Sequence, residues 1–105
     1  LLDLVVDRDY REIVADKQAN VLKAPIICLL VSDISRFAFG NDSLKLVWAA
    51  EDAGIVSQNI SLFCASAGLT TRPRAFMNQQ ELREVLGLKN SQHLMLNNPV
   101  SYKKK

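Results

Sequence analysis

The stretch AAEDAGIVSQNISLFCASAGLTTRP, residues 49–73, decides how this chain folds. Small and apolar residues run through it without a proline until Pro73. Gly68 stands where a left-handed residue closes a helix. Extended back to Asp42 or Ser43, either a good N-cap, the pattern predicts one helix of about 25 residues, roughly 37 Å long. Trp48, Ile55, Leu62 and Phe63 share one face, while Val47, Ala50, Ala53, Ile60 and Ala65 populate the others. A helix that is apolar nearly all round must be covered nearly all round. Gly54 costs about 1 kcal/mol against alanine inside a helix. It either marks the close approach of another backbone or is simply tolerated. Gln58 and Asn59, read as buried amides, need partners in backbone or a neighbouring subunit, with direct ligand contact the alternative.

The flanks of this helix supply the remaining elements. Residues 1–6 (LLDLVV) read as a short strand. Asp7 or Asp9 caps a helix through residues 9–22, which Ala24-Pro25 breaks. IICLLVSD is a continuous apolar run whose length suits a strand buried on both faces. Gly40-Asn41 signals a turn before the long helix. TTRPRAFM reads as irregular or extended chain. Asn78 with Glu81 resembles a capping box for a helix whose buried stripe is Leu82, Val85 and Leu86 and which Gly87 ends. HLMLNNPVSY is a last strand, and Pro99 places part of it at a sheet edge. The order predicts an α+β fold, a layered sheet with flanking helices, in a single domain over residues 1–105.

Composition narrows the function classes. Of 105 residues, 49% are hydrophobic, enough for a core, and the formal charge is only +2. Much of that charge sits in Lys103-Lys104-Lys105, so no basic face points to nucleic acid. No run reaches the roughly 18 apolar residues of a membrane span. Cys28 and Cys64 lie in apolar runs without metal spacing and read as buried free thiols rather than a disulfide, which suits a cytoplasmic protein. His93, the one histidine, reads as a surface residue in a polar turn.

In order and spacing, Glu51-Asp52-Ala53-Gly54, Ser57-Gln58-Asn59-Ile60, Leu62 and Ala67-Gly68-Leu69-Thr70-Thr71 resemble the central helix of the nitroreductase family. Arg72 to Phe76 then fall where that family places a flavin-contacting loop. Leu82-x-x-Val85-Leu86-Gly87-Leu88 looks like its next helix. Asn98-Pro99-Val100-Ser101-Tyr102 looks like its closing Val-Gly-Tyr strand, with Ser101 in place of the usual glycine. The likeness runs from about Ala24 to Tyr102. The family's Arg-x-Ser-x-Arg segment has no match here, so the chain resembles the C-terminal half of a nitroreductase and is expected not to be a complete enzyme. Its first residue is Leu rather than Met.

The resemblance implies an FMN-dependent oxidoreductase. Hydride passes from NAD(P)H through the flavin to a nitro, quinone or similar acceptor, and the flavin supplies the chemistry. It also implies a homodimer with the long central helix at the interface. By position, Pro73, Arg74, Ala75 and Phe76 are expected to contact the flavin ring, with backbone N–H groups near its N5. Arg72 and Arg74 would add positive charge near the ring's carbonyl edge or the phosphate; a solvated pair is the alternative. Lys103 and Lys104 stand where the family often places a phosphate-binding cation; a basic tail is the alternative. No catalytic side chain is identified. The competing reading is a flavin-free dimerisation or binding module derived from the same fold.

Overall fold

The computed structural model describes residues 3–103. The chain runs through α1 (Arg11–Ala15), a 3₁₀ turn (Ala19–Lys23), β1 (Ile26–Asp33), a second 3₁₀ turn (Ile34–Arg36), α2 (Asp42–Ala67), β2 (Leu69–Thr71), α3 (Gln79–Leu86) and β3 (Gln92–Tyr102). One antiparallel sheet has the order β1-β3-β2. This is the expected α+β arrangement. No helix among the described residues is long and apolar enough to cross a membrane.

Helix α2 begins and ends as its capping residues dictate. The cap is Asn41 rather than the expected Asp42 or Ser43: its side chain accepts from the Leu44 N–H at 2.9 Å, and Gly68 closes the helix at φ 73°. Asn41→Ala should therefore cost the full-length protein about 1 kcal/mol in urea unfolding. Loss of less than 0.3 kcal/mol would mean that water replaces the cap. Asn78 caps α3 by accepting from the Glu81 N–H at 3.2 Å, and its amide donates to the Glu81 carboxylate at 3.3 Å. Gly87 ends that helix in the left-handed region.

The two sheet faces carry different layers. From the partners Ile27↔Pro99 and Leu29↔Asn97, alternation sends these residues to one face. An extra residue in β3 between Leu94 and Asn97 keeps Leu94 on that face too. There Leu94 packs with Val14, Met77 and Leu82, flanked by Ile27, Leu29 and Leu86. Helix α2 covers the opposite face with the small residues Ala49, Ala53, Ser57 and Cys64. At its first turns Trp48 meets Phe37 and Phe39 with ring centroids 5.6 and 5.8 Å apart.

Several expectations need correction. Residues 3–6 form no strand, and Leu4 and Val5 are exposed; Leu1 and Leu2 lie outside the described residues. The helix expected over residues 9–22 stops at Ala15, because Asp16 leaves the helical region with a positive φ of 50°. Asp9 does hold its start, accepting from the Arg11 N–H at 3.0 Å. Strand β1 is an edge strand, only partly buried, with Ile26 and Val31 exposed. Conversely, Pro99 lies in the central strand. Its carbonyl accepts from Thr71 Oγ1 at 2.7 Å, so its nitrogen faces the same side, where β2 has already ended. β2 takes in Thr70 and Thr71, the start of the segment read as irregular or extended.

Helix α2 differs most from expectation. Its large residues face away from the sheet: Val47, Ile55, Val56, Leu62 and Phe63 are all exposed. Gln58 and Asn59 are exposed as well, so the buried hydroxyl of this helix is Ser57. A side chain at Gly54 would meet nothing within 4 Å. Among the described residues, no other backbone approaches it. Cys64 is buried and Cys28 half-buried, both as free thiols. Burial, and then the neighbouring Cys64, push the Cys28 thiol above its ordinary range. It is a poor nucleophile at neutral pH.

Candidate functional site

The loop between β2 and α3 is fixed by the central strand. Arg74 and Asn97 exchange backbone hydrogen bonds in both directions, each 2.8 Å. The Asn97 side-chain amide donates to the Phe76 carbonyl at 3.2 Å. These contacts clamp the loop on either side of Ala75. Pro73, Ala75 and Phe76 are exposed, and among the described residues the N–H groups of Ala75 and Phe76 have no acceptor. Two backbone donors thus remain open on a rigidly held turn.

Arg74 turns inward rather than toward solvent. Its Nε donates to Gln18 Oε1 at 2.7 Å and its Nη1 to Asn97 Oδ1 at 2.7 Å. Nη1 also reaches the Val14 carbonyl at 3.3 Å, and Nη2 the Ala15 carbonyl at 3.2 Å. Those carbonyls end α1, so the guanidinium takes the acceptors that a longer helix would have used, and it caps the helix with positive charge. The residue is 5% exposed, and among the described residues no carboxylate pairs with it. Burial, then the charge of Arg72, lower its pKa from the ordinary arginine value; Asp16 pulls the other way. The expected pair therefore separates: Arg72 is exposed, and the Arg74 guanidinium belongs to the interior.

Asn98 is the counterpart on the α2 face. Its Oδ1 accepts from Ser57 Oγ at 2.7 Å, and its amide donates to Thr71 Oγ1 at 3.3 Å. Asn97 and Asn98 are both fully buried. Together they tie the loop to one face of β3, and α2 and β2 to the other. The sequence carried a signal for them: two adjacent amides inside an otherwise apolar strand pattern must find buried partners.

A second cluster lies at the far end of β3. A cavity of about 230 Å³ is lined by Asn20, Thr70, Arg72, Pro99 and Ser101 among others. A neighbouring hollow of about 530 Å³ shares Asn20, Thr70 and Ser101 with it and adds Lys23, Tyr102 and Lys103. Arg72, Lys23 and Lys103 make this end cationic. Lys104 lies outside the described residues. Lys103 is six positions beyond Asn97 along an extended strand, about 20 Å away. The structure thus divides the expected residues into a loop group, residues 73–76, and a cationic group around Lys103. His93 belongs to neither. It lies in β3 opposite Ser32, half-buried, not in a turn.

A family model described as "Nitroreductase family" matches residues 3–102. The chain belongs to the nitroreductase family. No curated protein sequence matches it. Among solved structures, it is similar to a Ralstonia eutropha JMP134 protein described provisionally as a nitroreductase, with 26% identity and a TM-score of 0.70. That match covers 77% of this chain and 39% of the other, so the nitroreductase-family chain spans well under half of that relative's length.

Proposed function

We propose that this nitroreductase-family chain is part of an FMN-dependent oxidoreductase that draws hydride from NAD(P)H and delivers it to a nitro, quinone or similar acceptor. The observation that carries the reading is the clamped loop with two open backbone donors, in a chain of this family. The fit to a flavin is chemical. An isoalloxazine ring offers acceptors along one edge and an apolar face. The loop offers the Ala75 and Phe76 N–H groups beside the exposed Phe76 and Pro73 side chains. The cationic end with Lys103 and Lys23 suits a phosphate, Lys103 stands about a strand's length from the loop, and Arg72, next to Pro73, lies between the two. Lys104 extends that end in sequence. When bound, the flavin supplies the hydride chemistry; the chain binds and orients it. Arg74 serves from behind the loop rather than as a direct contact.

In this reading the described residues form a single domain corresponding to the C-terminal part of a nitroreductase. The protein works in the cytoplasm as a homodimer paired through the outer face of α2. The test is an FMN titration of the full-length protein, followed by flavin absorbance and by NAD(P)H oxidation with a nitroaromatic acceptor. A yellow protein of one FMN per chain is expected. Colourless protein that refuses added FMN would favour the alternative, a flavin-free dimerisation module. That alternative draws support from the internal use of the Arg74 cation.

Ala75→Pro removes one of the open donors without disturbing the Arg74–Asn97 clamp. FMN affinity is expected to fall by about tenfold, the loss of roughly one hydrogen bond to a ligand. Unchanged affinity would move the flavin away from the loop.

A further inference from the structure

We propose that Arg74 is a charge-bearing positioning residue: its buried guanidinium, unpaired by any acid, biases the loop beside it toward a ligand that gains negative charge. The inference rests on the flavin reading above and extends it to the electrostatics of the same site. Three observations carry it. The guanidinium is almost wholly buried, yet all four of its hydrogen bonds go to neutral acceptors: Gln18, Asn97 and the Val14 and Ala15 carbonyls. Among the described residues the one ion pair is Asp9–Arg11, elsewhere on the surface. Finally, a single carboxamide, that of Asn97, stands between the guanidinium and the Phe76 carbonyl of the open loop.

Neutral acceptors satisfy geometry without cancelling charge, and the exposed Asp16, the acid that acts on the guanidinium, offsets it only in part because it makes no ion pair with it; the remaining field reaches the loop through protein rather than water. A flavin that accepts hydride, two electrons and one proton, carries one more negative charge than before, while NAD(P)H leaves as NAD(P)⁺. A unit charge about 10 Å away, at an effective dielectric near 20, shifts such an equilibrium by roughly tenfold. Arg74 therefore favours the reduced over the oxidised flavin by about that factor. This corresponds to about 30 mV for a two-electron couple.

Gln18→Glu is the decisive variant. It keeps the bond to Arg74 Nε and places a carboxylate where an amide stood, cancelling the charge in place. The midpoint potential of FMN bound to full-length protein is measured by spectroelectrochemistry, with urea unfolding alongside. Expected is a fall of about 30 mV in Gln18→Glu with stability kept or raised. A similar fall is expected in Arg74→Gln, and a near wild-type potential in Arg74→Lys, which keeps the charge but loses the fork. If Arg74→Gln does not fold, Gln18→Glu alone decides. Normal FMN binding with an unchanged potential in Gln18→Glu would overturn the proposal and leave the flavin reading standing. Wild-type protein that binds no FMN would overturn both.

Discussion

Replacing Leu62 and Phe63 together by glutamate is expected to convert a dimer of the full-length protein into monomers. Both side chains lie on the outer face of α2, 59% and 65% exposed, with Val47, Ile55 and Val56 beside them. The helix spends its small residues on the sheet and its large ones on the outside. That is the opposite of a surface helix on a monomer. Fully burying a Leu or Phe contributes about 1.5–3 kcal/mol, and more than half of each surface is still open here. A twofold interface counts each residue twice, so four side chains would lose roughly 5 kcal/mol together. Four introduced carboxylates would add a desolvation cost. The dissociation constant should rise at least a thousandfold. Sedimentation velocity at micromolar protein would read the change. A persisting dimer would put the interface on another face and leave the apolar surface of α2 without a function.

The second large effect is on stability. Arg74→Ala removes the donor to four acceptors at once, all in or beside the core between α1 and the sheet. Each buried group left without a partner costs about 1–3 kcal/mol, offset where water can enter. A loss of about 3–5 kcal/mol is expected in urea unfolding of the full-length protein. The loss should come with early protease cleavage between Asp16 and Ala24, since the α1 carbonyls would lose their anchor. A loss below 1 kcal/mol would mean that the network is replaceable by solvent. Gln18→Ala, which removes one bond to a half-buried partner, should cost only about 1 kcal/mol.

Local chemistry made part of this fold legible. Gly68, Asn78 and Gly87 act within a turn of their own positions, and those helix ends fall where the sequence puts them; the start of α2 is capped one residue earlier than expected, by Asn41 rather than Asp42 or Ser43. β1 was equally plain, an apolar run bounded by Pro25 and a polar turn. What failed depended on distant partners. Pro99 suggests an edge strand, whereas β3 is central; the proline fits there because β2 stops at Thr71 and leaves that side of Pro99 open. The helix over residues 9–22 looks continuous until a guanidinium from residue 74 arrives at its carbonyls. Gln58 and Asn59 read as buried because the helix reads as wholly covered, and coverage is a property of the assembly. At the candidate site, the loop could be located from sequence. The adjacent asparagines signal buried partners, but which partners they hold, and the inward turn of Arg74, could not be read, because each depends on which face of β3 a residue meets.

Those two asparagines also decide how β3 can be threaded. Suppose the strand slid by one residue. In one direction Leu96 would sit where Asn97 receives the guanidinium, and the cation would face hydrocarbon. In the other, Pro99 would sit where Asn98 accepts from Ser57, and the hydroxyl would be stranded under α2. Either misalignment leaves a buried donor unanswered, at a cost of about 1–3 kcal/mol or more for the charged group. It also sends every apolar residue of the strand to the wrong face. The adjacent amides thus work as a two-sided key, and only one alignment of the central strand lets both locks close.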